Sequence, residues 1–73
     1  MTLIDLKYYM ADGGFAGETA YRSKHSAVDQ VREELSALNQ DGRLPGAGGK
    51  VTGFVSFEIA AERKDRQGLV RLA

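Results

Sequence analysis

The chain has no cysteine and no tryptophan, and only one proline and one histidine in 73 residues. Without thiolates it can build neither a disulfide scaffold nor a Cys-ligated zinc or iron–sulfur centre. It also lacks an excess of charge of either sign, since ten Lys+Arg balance ten Asp+Glu. A domain that holds nucleic acid through its phosphates carries a basic surplus. No apolar run approaches the roughly 20 residues that a spanning helix needs. The opening Met1-Thr2-Leu3-Ile4-Asp5 has no basic segment, long apolar stretch or small-residue cleavage site. No signal peptide is therefore expected, and a cytoplasmic location is.

Hydrophobic residues make up 42% and charged residues 27% of the chain, a balance that suits a folded core rather than disorder. Neither an internal repeat nor a composition break divides it, so one domain over 1–73 is expected. Residues 2–10 alternate: Ile4, Leu6, Tyr8 and Met10 fall on one side of a strand, and Leu3, Asp5, Lys7 and Tyr9 on the other. Asp12-Gly13 suits a two-residue turn, because glycine and aspartate tolerate positive φ. A second strand then runs from Phe15 to about Arg22, and opposed residue numbers sum to 25. That register sets Met10 against Phe15, Leu6 against Thr19 and Ile4 against Tyr21 on the apolar side, with Lys7 against Glu18 on the other.

Val28, Val31, Leu35 and Leu38 recur at helical spacing, Ser23 or Ser26 offers a cap, and Gly42 offers a stop. Residues 42–49 hold four of the nine glycines and the one proline, and read as a flexible loop. A third strand follows, with Val51, Gly53, Val55, Phe57, Ile59 and Ala61 on one side and Lys50, Thr52, Phe54, Ser56, Glu58 and Glu62 on the other. Arg63 to Gln67 reads as a polar turn centred on Asp65-Arg66, and Gly68 to Leu72 as a fourth strand that sets Val70 against Ala61 and Leu72 against Ile59.

The expected fold class is α+β in the order ββαββ, with one amphipathic helix on one face of a four-stranded sheet. The expected core is Ile4, Leu6, Tyr8, Met10, Phe15, Tyr21, Val28, Val31, Leu35, Leu38, Val55, Phe57, Ile59, Val70 and Leu72. This order and length resemble the β-grasp fold of ubiquitin-like proteins, and an all-antiparallel sheet is equally allowed. The ending Val70-Arg71-Leu72-Ala73 has no Gly-Gly, so the role of a conjugated modifier is not expected.

Catalytic constellations are sparse. His25 has Asp29 four residues later and Ser26 beside it, but adjacent helical residues diverge and no third group joins them. Gly46-Ala47-Gly48-Gly49-Lys50 imitates the end of a phosphate loop, yet Leu44 replaces the first glycine, Val51 replaces the hydroxyl residue, and a helix precedes the loop instead of following it. The carboxylates Glu33, Glu34, Glu58 and Glu62 form no acid–base or cation-binding pattern, so no metal or cofactor is expected. Lys50-Val51-Thr52-Gly53-Phe54-Val55-Ser56-Phe57 partly resembles an RNA-recognition motif, with Thr52 where a stacking aromatic belongs.

The sheet face away from the helix is left to carry function. Leu3, Tyr9, Phe54 and Leu69 lie there among charges of both signs, a mixture suited to protein contact. The expected function is a non-enzymatic binding module that occludes or bridges a partner surface. An inhibitor, antitoxin, immunity-like protein or adaptor would fit, including a phage-encoded anti-defence protein, and so would a homo-oligomer. The alternative is single-stranded nucleic-acid binding through Lys7, Arg22, Lys50, Phe54 and Arg71.

Overall fold

The structure is a computed structural model that describes residues 2–46, 51–61 and 64–72. Strand β1 spans Thr2–Tyr9, β2 Phe15–Ser23, β3 Gly53–Ala61 and β4 Lys64–Leu72, and helix α1 spans Val28–Gln40. The strands form one sheet in the order β2-β1-β3-β4, each neighbouring pair antiparallel. Of the two architectures the sequence allows, the chain adopts the antiparallel one. Because β2 and β3 both oppose β1, they run in the same direction with β1 between them. The connection through α1 crosses over β1 and so lays the helix on a single face of the sheet.

Alternation along the strands decides which side chains the helix covers. Ile4, Leu6 and Tyr8 of β1, Val55, Phe57 and Ile59 of β3, and Val70 and Leu72 of β4 are buried with Val31 and Leu35 of α1. Tyr21, Val28, Leu38, Leu44 and Val51 pack around them partly buried. Leu44 and Pro45 anchor the start of the glycine-rich connection, where the Tyr8 hydroxyl donates a hydrogen bond to the Pro45 carbonyl. The remainder of that loop, residues 47–49, and Lys50 lie outside the described residues.

The first hairpin has the expected register over most of its length and a different turn. Opposed numbers sum to 25 from Leu3↔Arg22 to Tyr8↔Gly17, but Tyr9 then faces Phe15. The Gly13 amide donates to the Met10 carbonyl (2.9 Å) and the Met10 amide to the Gly14 carbonyl (2.8 Å). The loop is therefore Ala11-Asp12-Gly13, a three-residue connection with Gly13 at φ +91°. An extra residue, Ala16, bulges beside Gly17 and restores the register. The correction matters because Phe15 joins Tyr9 on the open face. Met10 and Phe15, expected in the core, are 50% and 61% exposed.

The second hairpin is longer than expected. Val55 pairs with Val70 and Gly53 with Leu72, so opposed numbers sum to 125, and pairing runs to Ala61↔Lys64. The turn expected at Asp65-Arg66 is overturned, since both residues lie in strand β4; Arg63, the start of the expected polar turn, lies outside the described residues. Lys64-Asp65-Arg66-Gln67 is polar because β4 is an edge strand, where charge discourages pairing with stray chains. The register differs from the expected one by an even number of residues, so Val70 and Leu72 keep the helix-facing side.

Neither serine caps α1. Its N-cap is Ala27, without a side-chain hydrogen bond. The end follows expectation: the Gly42 amide donates to the Asn39 carbonyl (3.0 Å) and the Arg43 amide to the Leu38 carbonyl (2.8 Å). This paired closure needs a left-handed residue, and Gly42 supplies it at φ +66°.

Candidate functional site

The open face is best described in rows across the strands. In the first, Phe15 of β2 faces Tyr9 of β1, Tyr9 faces Phe54 of β3, and Phe54 faces Arg71 of β4. The Tyr9 and Phe15 rings meet edge to face with centroids 5.9 Å apart. The Arg71 guanidinium lies 5.9 Å from the Phe54 centroid, within cation–π range. The second row runs Glu18, Lys7, Ser56, Leu69, and the third Ala20, Asp5, Glu58, Gln67. Beyond them Arg22 faces Leu3.

This arrangement sorts the expected site residues. Tyr9 and Phe54 are neighbours, and Leu69 borders them from the next row. Leu3 stands at the far end of β1, six residues from Tyr9, and belongs to a separate patch. Phe54 is 45% and Leu69 61% exposed. Phe15 is the member that sequence reasoning missed, because only the three-residue loop and the bulge turn it to this face. A depression of about 470 Å³ is lined by Asp5, Lys7, Tyr9, Ser56, Glu58 and Leu69 of this face together with Arg32 of the helix.

Of the residues of the nucleic-acid alternative, Phe54 and Arg71 are neighbours, Lys50 lies outside the described residues, and Lys7 and Arg22 stand apart. Lys7 lies between the rows of Asp5 and Tyr9, with Glu18 as its cross-strand partner, and Arg22 sits at the opposite end of the face from Arg71. Asp5 and Glu58 are cross-strand neighbours at the centre of the sheet, where a phosphate backbone would meet negative charge.

The helix side carries a polar clasp. Ser23 is fully buried; its hydroxyl donates to Glu34 Oε2 (2.5 Å) and accepts the His25 amide (3.0 Å). Burial, with a hydrogen bond to the Glu34 carboxylate and its negative charge, pushes the Tyr21 hydroxyl up to about 12. Desolvation also raises Tyr8. His25 precedes the helix, and the Asp29 carboxylate lies 3.6 Å from Arg32 Nη1. Ser26 contributes its carbonyl to Arg66 Nη1 (3.3 Å). The described residues around His25 thus make structural bonds and do not converge on a cleft. Among the described residues, no cluster of three or more His, Asp or Glu could hold a metal ion, and no helix is long and apolar enough to cross a membrane.

The clasp has a measurable consequence. Unfolded Tyr21 ionises near its ordinary value of 10, whereas folded Tyr21 keeps its proton to about 12. The stability from this protonated tyrosine is complete below pH 10 and is lost as pH rises from 10 to 12. Allowing for solvent screening, the loss is about 1–2 kcal/mol. Urea midpoints measured across that window should fall more steeply for the wild type than for Tyr21→Phe. Equal slopes would remove the clasp from the account.

No protein-family model matches the chain, and no solved structure matches it. A curated protein that matches is the UDP-N-acetylmuramoylalanine–D-glutamate ligase of Geobacillus kaustophilus (strain HTA426), 34% identical over 70 residues. The match takes in 96% of this chain and 15% of the ligase. The chain therefore spans about 15% of the length of that relative, and the likeness is to a segment of it.

Proposed function

We propose that this chain is a small, non-enzymatic, cytoplasmic protein-binding module that occludes or bridges a partner surface with the open face of its sheet. The observation that carries this reading is the row Phe15–Tyr9–Phe54–Arg71, which crosses all four strands on the side the helix leaves bare. Aromatic residues and arginine dominate the energetic centres of protein interfaces, because they bury large area at little cost in rotamer entropy. Mixed charges surround the row, as at the rim of an interface. Inhibitor, antitoxin, immunity-like, adaptor and phage anti-defence roles all act through such a surface. Ligation of D-glutamate belongs to the matched ligase, and with 15% of that protein covered it is not carried to this chain.

The test uses the tagged chain as bait in its source organism, with an untagged copy co-expressed. Tyr9→Ala/Phe54→Ala is compared with the helix-surface control Gln30→Ala. Proteins retained by the wild type and the control should fall at least about tenfold with the double variant. Equal recovery by all three would refute the reading. Recovery abolished by nuclease would transfer the face to single-stranded nucleic acid.

A further inference from the structure

We infer that the occupant of the open face is a second copy of this chain, packed face to face about a twofold axis crossing the strands between Asp5 and Lys7. The inference rests on the reading above and names its partner. Along the open side of β1 the side chains run Leu3, Asp5, Lys7, Tyr9: apolar, negative, positive, apolar. A twofold midway between Asp5 and Lys7 reverses this order in the facing copy. Lys7 then meets Asp5 of the second copy, and Tyr9 meets its Leu3, each contact occurring twice as an isologous interface requires. On β2 the same operation sets Phe15 against Arg22 of the second copy, an aromatic ring against a guanidinium, and Glu18 against Ala20. On β3 it sets Glu58 against Ser56, an acceptor against a hydroxyl.

These pairings oppose no like charges. A twofold running along the strands between β1 and β3 would instead stack Asp5 on Glu58 of the other copy, which Coulomb repulsion disfavours. On β4 the twofold between Asp5 and Lys7 sets Leu69, 61% exposed, against Gln67 of the second copy. Leu3, which lies outside the aromatic row, acquires a partner in this arrangement. The area suffices: four strands of about eight residues give a face of about 19 by 26 Å. That is roughly 500 Å² of flat area per partner, or about 1,000 Å² in all, the lower bound for a specific interface. The chain's zero net charge sets no long-range repulsion against self-association.

Sedimentation equilibrium of the full chain tests this by charge reversal. The wild type should sediment at twice 7.9 kDa. Asp5→Lys opposes two lysines across the axis, and Lys7→Asp opposes two aspartates. Each variant alone should associate roughly a hundredfold more weakly. An equimolar mixture of the two should regain the dimer, and so should the double reversal Asp5→Lys/Lys7→Asp in one chain. Restoration on mixing is a gain of association that misfolding cannot imitate. A wild type that stays at 7.9 kDa throughout overturns the second copy, as does a dimer that the single reversals leave unchanged. A monomeric wild type leaves the capture comparison free to return a different protein. A dimer indifferent to Tyr9→Ala/Phe54→Ala would sink both readings.

Discussion

Gly68→Ala should cost about 3 kcal/mol of stability, at the upper end of the range for overfilled cores. Gly68 lies on the helix-facing side of β4 opposite Phe57. A Cβ built there would stand 2.2 Å from Phe57 Cζ and 2.5 Å from Cε1, well inside contact distance. The ring cannot swing away cheaply, because Phe57 is 2% exposed and enclosed by the core. Alanine normally suits a strand better than glycine does, so backbone preference favours the substitution and packing opposes it. With total stability of a domain this size on the order of 5–10 kcal/mol, the loss would be a large share. Phe57→Leu removes the ring and should relieve the clash. The two changes together should cost about 1–2 kcal/mol less than their sum in urea unfolding. Strict additivity, or a more stable Gly68→Ala protein, would show that the ring does not lie over Gly68.

The sequence carried the parity of β1, β3 and β4, and of β2 beyond its bulge, but not all of the hairpin geometry. Period-2 alternation placed Ile4, Leu6, Tyr8, Val55, Phe57 and Ile59 on the covered side, and the helical stripe placed Val31 and Leu35 against them. Parity is robust because only an odd slip exchanges the faces, and the β3–β4 error was even. Loop chemistry was less legible. Ala11-Asp12-Gly13 and Asp12-Gly13 present the same glycine after the same aspartate, and the choice depends on whether a bulge follows. Ala16 bulges where Gly17 adopts φ +145°, a conformation open to glycine, so the clue was a glycine inside a strand. Reading it would have moved Phe15 to the open face. The polar stretch Lys64–Gln67 imitated a turn because edge strands and turns share polar composition.

Strand order was not legible at all, since alternation fixes faces and not neighbours. Yet order makes the candidate site. With β1 and β3 adjacent, Tyr9 meets Phe54, and with β2 outside β1, Phe15 extends the row. Leu3, equally exposed and on the same face, falls outside the row because it lies at the other end of its strand. Ser26 failed as a cap because the helix begins only at Val28, while Ser23 spends its hydroxyl on Glu34 and the His25 amide.

The central claim is that one flank of the sheet holds the fold together and the other meets partners. Phe57 and Phe54 lie three residues apart on β3, and the claim gives them opposite duties. Phe57→Ala empties a buried ring site and should cost about 3–5 kcal/mol, enough to leave much of the chain unfolded. Phe54→Ala removes a ring that is 45% exposed and touches Arg71. It should cost less than about 1 kcal/mol. Urea unfolding of both variants, in solution dilute enough to keep the chain monomeric, measures the contrast directly. A large loss for Phe57→Ala beside a small one for Phe54→Ala is the predicted result. Comparable losses would mean that Phe54 belongs to the interior and that the sheet has no bare flank to offer.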